Sequence, residues 1–364
     1  MTDFIPQIQP WIDHVELEEL QKVIDSTYIT EHEATREFEA IFRDFTGAKN
    51  VVAYSNGTTA LIGALLALEL KPGDEVIVPN LTFVATLNSV ILAGGTPVLA
   101  DIAPDSWHID PAQIKAKITP RTRGIIPVHL YGSAANLDEI MAIAKEHNLF
   151  VLEDAAQAVG VHYSGRHVGT FGNIGMLSFY ANKTMTTAEG GILLTNDDAL
   201  AARLYQIKNH GRSQKGVFIH ETIGYNFSFS DLHAAIGLAQ LKKLSRILER
   251  KSEIYKRYEQ GLSGIPQLTF CPTPQEVTLV PWFSNVHVPD AEALGQHLET
   301  QNIGSRRFFY PLHMQPCYQG RFGTDADYPC ALKAFQTGLS LPSAVGLTNE
   351  QQDYVIQTIR TFFA

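Results

Sequence analysis

Lys183 lies in the run Ser178-Phe179-Tyr180-Ala181-Asn182-Lys183-Thr184-Met185-Thr186-Thr187-Ala188-Glu189-Gly190-Gly191. On either side are short apolar runs, Ile174 to Phe179 and Gly191 to Thr195, that read as strands. A lysine so placed can sit at the floor of a cleft, where partial desolvation lowers its pKa and leaves a nucleophilic amine. Such an amine forms Schiff bases. Alone it would pass for a solvated loop lysine; partners elsewhere in the chain argue otherwise.

Pyridoxal phosphate is the cofactor that most often exploits such a lysine, and it makes further demands: a phosphate anchor, a carboxylate at the pyridine nitrogen and a flat group against the ring. Ser55-Asn56-Gly57-Thr58-Thr59 lies between strand-like Asn50 to Tyr54 and helix-like Ala60 to Leu70. A glycine-bearing turn into a helix start offers free N–H groups to an anion, though the same residues also serve as ordinary caps. Asp154, in Leu149-Phe150-Val151-Leu152-Glu153-Asp154-Ala155-Ala156-Gln157, ends an apolar strand, the edge where open α/β sheets bind ligands. Gln157, about one turn on, can reach the cofactor's ring hydroxyl, while alternation turns Glu153 to the other face as a structural residue. Phe83, in Thr82-Phe83-Val84-Ala85-Thr86 after strand-like Glu75 to Val78, can stack on the pyridine ring. Phosphate turn, aromatic, carboxylate and lysine therefore follow one another, each at the end of a strand-like run.

From about Asp25 to Tyr318 the chain resembles the DegT family of sugar-nucleotide aminotransferases, a branch of the fold-type-I pyridoxal phosphate enzymes. The segments above carry the resemblance, extended by Gly224-Tyr225-Asn226-Phe227 and Phe308-Phe309-Tyr310-Pro311-Leu312-His313. It implies that Lys183 bonds the cofactor and moves the proton, that Asp154 pairs with the ring nitrogen and Gln157 with the ring hydroxyl. It also implies that Gly57, Thr58 and Ser178 bind the phosphate and that Phe83 covers the ring. Asn226 would reach the phosphate of a neighbouring subunit's cofactor, so the active site would belong to a homodimer. Arg212, Tyr310 and His313 would bind substrate, with Tyr180 another candidate for the sugar pocket. One branch carries histidine at the lysine position and removes a hydroxyl; Lys183 favours transamination. Within the family, Asn182 to Thr187 and Arg307 to His313 look most like the branch that aminates C4 of GDP-4-keto-6-deoxymannose with glutamate, with dTDP- or UDP-linked keto sugars the alternative.

The elements that position these residues follow from the run pattern. Strand-like Val76 to Pro79, Pro97 to Ala100, Gly124 to Val128 and Leu149 to Leu152 alternate with helix-like stretches, which reads as a mostly parallel sheet between helices. The expected fold is α/β, aspartate-aminotransferase-like: a large domain over 1–240, with the family's seven-stranded sheet, and a smaller C-terminal α/β domain over 241–364. Helices are expected over Val15 to Ile24, with Leu17, Leu20 and Ile24 on one side, and over Phe38 to Phe45. A long helix from Asp231 to about Tyr258, a strand over Ser284 to Val288 and a helix over Ala291 to Gln301 complete the outline.

Composition narrows the partners. With 38 acidic and 28 basic side chains the net charge is −10, which argues against nucleic acid. A nucleotide sugar needs only local cations; Lys208, His210, Arg212 and Lys215, or Arg306 and Arg307, are the candidates for its diphosphate. No run of apolar residues is long enough for a membrane span and no signal peptide is apparent, so a cytoplasmic enzyme is expected. The cysteines, Cys271, Cys317 and Cys330, offer no metal spacing. A desulfurase would need a mobile reactive cysteine, for which only Cys317 qualifies, and a cofactor-binding regulator would need an appended DNA-binding segment, which is not visible. His129, after Pro127-Val128, ends another strand and is expected to border the cofactor; Trp11 and Trp282 receive no role.

Overall fold

Apolar runs of about five residues between helix-forming stretches fold into one sheet. The computed structural model describes residues 3–104, 106–214 and 216–364. Two N-terminal helices, α1 (His14–Ser26) and α2 (Glu33–Thr46), precede the alternation β1 (Asn50–Tyr54), α3 (Gly57–Ala67), β2 (Glu75–Pro79), α4 (Val84–Leu92), β3 (Thr96–Ala100), α5 (Pro111–Lys117), β4 (Thr122–Ile125), α6 (Leu137–His147) and β5 (Phe150–Asp154). A short hairpin, β6 (His162–Tyr163) with β7 (Arg166–His167), leads to β8 (Ile174–Ser178), β9 (Gly191–Thr195), α7 (Asp198–Lys208) and the 31-residue α8 (Asp231–Gly261).

The large sheet has seven strands in the order β1-β9-β8-β5-β4-β2-β3. Strands β3, β2, β4, β5 and β8 are mutually parallel, joined by helical crossovers up to β5 and by the β6–β7 hairpin into β8, whereas β9 runs antiparallel to both β8 and β1. Every strand except β9 therefore ends on the same edge. All five residues of β2, β8 and β9 are buried, as expected of strands covered on both faces. The strand expected to reach Val128 stops at Ile125, because Pro127 has no N–H to give a ladder; Val128 makes only an isolated bridge to Asp154.

The side of α1 that packs is not the apolar one read from the sequence. Leu17 and Ile24 are 67% and 55% exposed, while Glu16, Glu19 and Val23 are buried. Cations on α8 explain the choice: Lys243 meets Glu16 at 2.7 Å and Lys242 meets Glu19 at 2.5 Å. In α2 the expected aromatic face holds, with Phe38 and Phe42 wholly buried against Phe179.

Beyond α8 come β10 (Thr269–Phe270), β11 (Val277–Thr278), β12 (Ser284–His287), α9 (Ala291–Thr300), β13 (Arg306–Arg307), α10 (Pro329–Thr337), β14 (Gly338–Leu341) and α11 (Asn349–Phe363). Strands β10-β12-β14-β13 form a four-stranded antiparallel sheet. Residue 240 falls inside α8, whose start packs with α1 and α2 and whose end, through Ile254 and Tyr258, joins the C-terminal core. Ile5 joins that core as well and bridges Ile303, and β11 pairs with β6 of the N-terminal part. Among the described residues no helix is long and apolar enough to cross a membrane.

Glu153 has the structural role that strand alternation assigns it. Wholly buried, it pairs with His129 at 2.9 Å and accepts the N–H groups of Gly169, Phe171 and Gly172. His129 therefore faces this buried carboxylate and not the cofactor side; its Nδ1 accepts from Ala135 N–H at 3.2 Å, which leaves Nε2 to donate. Desolvation pushes the Glu153 carboxyl up, but the His129 hydrogen bond and the Gly172 and Gly169 N–H groups outweigh it, so it ionises below its ordinary value. Its folded pKa being depressed, the stabilisation is present above the unfolded-state pKa and is lost as pH falls through the folded value. Glu153→Ala unpairs the buried N–H of Gly169 and the part-buried N–H groups of Phe171 and Gly172, and is expected to cost about 3–5 kcal/mol, read as a lowered urea midpoint at neutral pH.

Candidate active site

The carboxyl ends of β1, β2, β5 and β8 converge on a cavity of about 600 Å³. It is lined by Gly57 and Thr58 after β1, Phe83 after β2, Asp154 and Gln157 from β5 onward, and Ser178 and Lys183 from β8 onward. The structure thus brings together seven of the residues singled out in the sequence, at the edge the topology assigns to ligands.

The phosphate turn is built by capping. The Asn56 side chain accepts from Thr59 N–H at 2.9 Å and the Thr59 hydroxyl faces Asn56 N–H, a reciprocal box that starts α3 at Gly57. The N–H groups of Gly57 and Thr58, in the first turn, have no intrahelical partner and carry the positive end of the helix dipole. A Cβ on Gly57 would lie 3.2 Å from both Cβ and Oγ of Ser178, so glycine here keeps the Ser178 hydroxyl beside the helix start.

Asp154 is 4% exposed. One carboxylate oxygen accepts from Thr86 Oγ1 at 2.7 Å and the other from Ala156 N–H at 3.2 Å. Burial pushes its carboxyl above the ordinary value, against the hydrogen bonds of Thr86 and Ala156 and the charge of Lys183. A buried carboxylate with only neutral hydrogen-bond donors is suited to a cationic N–H. Gln157 Oε1 accepts from Tyr131 N–H at 2.8 Å, which fixes the amide and leaves its NH2 to donate.

The loop that carries Lys183 is tied at both ends: Phe179 N–H donates to Gly190 O, Thr187 N–H to Phe179 O, and Lys183 N–H to Tyr180 O, at 2.8–2.9 Å. Burial lowers the Lys183 amine to about 8, with Asp154 acting to raise it and Arg306 to lower it. A desolvated amine, a buried carboxylate, an anion-receiving helix start and the half-exposed ring of Phe83 across the cavity fit pyridoxal phosphate. Gly57, Thr58 and Ser178 would take its phosphate and Asp154 its ring nitrogen.

Four residues expected at the site do not line this cavity. Arg212 donates to Asn209 and lies over Phe218; Tyr310 packs edge-on against Phe335. His313 is buried between Asn80 Nδ2 at 2.8 Å and Asp325 Oδ1 at 3.0 Å. Asn226 is exposed, its side chain accepting from Ser228 N–H. Lys208, a candidate for the diphosphate, is instead wholly buried, donating to Ala53 O and pairing with Glu31. Lys215 lies outside the described residues.

Sequence reasoning missed Thr86, Trp282 and Phe309. Thr86 sat in view, in the same segment as Phe83, but only the fold turns its hydroxyl to Asp154. Trp282 and Phe309 arrive from the C-terminal part; Phe309 sat in view within the Phe308 to His313 motif but drew no role, and nothing local marks Trp282. Arg306, one of two arginines considered, lines the cavity, while Arg307 pairs with Glu292 at 2.9 Å. Thr86→Val keeps the shape but removes a hydrogen bond to a charged group; the expected result is roughly a tenfold fall in kcat or a comparable loss of cofactor affinity, measured by steady-state kinetics and cofactor titration.

Fold and site together define a pyridoxal-phosphate-dependent aminotransferase. The chain belongs to the DegT/DnrJ/EryC1/StrS aminotransferase family, whose pattern matches residues 10–360. It is 37% identical to a GDP-perosamine synthase of Escherichia coli O157:H7 over 99% of both chains. With a GDP-perosamine synthase of Caulobacter vibrioides it shares 38% identity, again over 99% of each. Among solved structures, DesV of S. venezuelae, determined in complex with a ketimine intermediate, superposes with a TM-score of 0.95 at 32% identity, covering 99% of both chains.

Proposed function

We propose that this aminotransferase moves the amine of glutamate to C4 of GDP-4-keto-6-deoxymannose, giving GDP-perosamine for cell-surface polysaccharide. What carries the substrate assignment is the full-length similarity, at 37–38% identity, to two GDP-perosamine synthases, together with a cavity that gathers Lys183, Asp154, Gln157, Ser178 and the Gly57 turn. Two half-reactions share that cavity in turn. Bound pyridoxal phosphate supplies an electron sink for the carbon that gives up its proton.

The protein's own part follows from the geometry. Gly57, Thr58 and Ser178 hold the phosphate end and Asp154 keeps the ring nitrogen protonated. Phe83 closes the side open to solvent and excludes water. Lys183 Nζ, about half of it neutral at pH 8, would accept the proton from the donor carbon and pass it to the cofactor, and in the second half-reaction would carry a proton from the cofactor to the sugar carbon. Arg306, a cation in the cavity wall, suits an anionic substrate group. Arg212, Tyr310 and His313 remain candidates for the sugar-nucleotide side, in an assembled enzyme.

A homodimer with shared active sites is part of this reading. Ile12, Leu17, Ile24, Tyr28 and Ile29 on the N-terminal segment, and Phe218, Ile219 and Ile223 on the 211–225 loop, are apolar side chains 47–83% exposed, enough for an interface. Asn226 adjoins that loop and is exposed, where it would reach a second copy's cofactor. Light scattering is expected to give twice the 40.2 kDa chain mass. A cytoplasmic setting completes the proposal.

Incubation with isotopically labelled glutamate and GDP-4-keto-6-deoxymannose is expected to yield a labelled GDP-amino sugar by mass spectrometry. Label entering only a dTDP- or UDP-linked sugar offered in parallel would move the enzyme to that substrate.

A further inference from the structure

We infer that the indole face of Trp282 is a working part of this site: it is the resting place of the Lys183 amine whenever that amine is not bonded to the cofactor. The inference rests on the aminotransferase function. Lys183 Nζ lies 4.2 Å from the centroid of the Trp282 ring, within the range of a cation–π contact.

The ring is held in place to do this. Trp282 is 2% exposed and stacks on Phe283 at 3.8 Å. Its Nε1 donates to the carbonyl of Asn182, the residue beside the lysine, at 2.7 Å. Its own carbonyl accepts from Lys251 Nζ at 2.8 Å, and that same amine, lowered to about 7 by burial, donates to Ser343 O at 2.8 Å. Lys251, itself 2% exposed on α8, is thereby a positioning residue that ties the tryptophan to the C-terminal part.

The chemistry explains why an aromatic ring suits this place. Lys183 must be neutral to attack and to accept a proton, and protonated to return one. A carboxylate in contact would hold it as an ion pair and keep it charged. An aromatic face attracts the ammonium but offers no competing proton acceptor, so the amine stays near the reacting atoms and changes charge easily. The charged and titratable groups that face or adjoin Lys183 are Asp154, Glu189 and Tyr180 on the cavity wall, Arg306 from β13, and Lys251 beneath the loop. Burial outweighs Asp154 and brings the amine to about 8. Taking the ring away removes attraction for the charged form alone, so the amine should become still less basic.

The test is the rate of pyridoxal phosphate capture by apoprotein, followed by absorbance across pH, since only the neutral amine captures. In Trp282→Leu the midpoint of the rate profile is expected about one pH unit below wild type. Trp282→Phe, which keeps a ring with a weaker face, should fall between the two. A ring that only fills space would lower the melting temperature of Trp282→Leu and leave the midpoint where it was, and that outcome overturns the inference. If Trp282→Leu does not fold, a wild-type midpoint in Trp282→Phe overturns it equally. Wild-type protein that captures no cofactor at any pH would overturn the aminotransferase function and this inference together.

Discussion

Lys183→Ala is expected to reduce turnover by about four orders of magnitude or more, because one substitution removes both the nucleophile and the group that carries the proton. The visible absorption of lysine-bound cofactor should vanish with it. The fold should survive: the loop is held by main-chain bonds of Phe179, Lys183 and Thr187 and not by the lysine's side chain. An unchanged melting temperature beside the lost activity would separate chemistry from stability. A variant that turned over at even one-tenth of the wild-type rate would show that another group moves the proton.

Asp154→Asn should be the second most damaging change. The amide keeps the shape but gives up the charge that holds the ring nitrogen protonated, and the expected loss in kcat is about 100-fold or more. Stability should move the other way. The Asp154 carboxyl ionises above its ordinary value in the fold, because burial disfavours its charged form. Its folded pKa being raised, ionisation at neutral pH weighs against the folded apoprotein, and the penalty disappears as pH falls through the folded value. The neutral amide removes that penalty, so apo Asp154→Asn is expected to melt at or above the wild-type temperature at pH 7. A lower melting temperature with full activity would make Asp154 a structural residue instead.

The contrast between what the sequence reveals and what it hides has a physical basis. The large sheet was legible because each buried strand is a short, almost purely apolar run, as in Val76–Pro79 and Ile192–Leu194, and because each reactive residue follows such a run directly. Local order alone therefore put Gly57, Thr58, Phe83, Asp154, Gln157, Ser178 and Lys183 on one edge. Side-chain partnership is another matter. The apolar side of α1 looked like its core face, yet Lys242 and Lys243 on α8, distant in the sequence, select Glu16 and Glu19 instead. Lys208 looked like an anion binder, but Glu31 and the Ala53 carbonyl hold it inside. His129 looked like a neighbour of the cofactor, whereas it pairs with Glu153, which alternation along β5 turns away from the Asp154 side. Trp282 had no local signature at all, since its meaning lies in Lys183 across the cavity. Asn226, Arg212, Tyr310 and His313 do not line the cavity that holds Lys183, since the contacts that place them were not legible from local order.

The most direct measurement of the central claim is a pair of half-reactions followed by absorbance. Purified protein loaded with pyridoxal phosphate is first given glutamate alone, then 4-keto-6-deoxy sugars on GDP, dTDP and UDP in separate portions. The expected result is that glutamate removes the visible absorption of the lysine-bound cofactor and that the GDP sugar restores it. If glutamate left the absorption untouched, or if no keto sugar restored it, glutamate-to-nucleotide-sugar transamination would be contradicted.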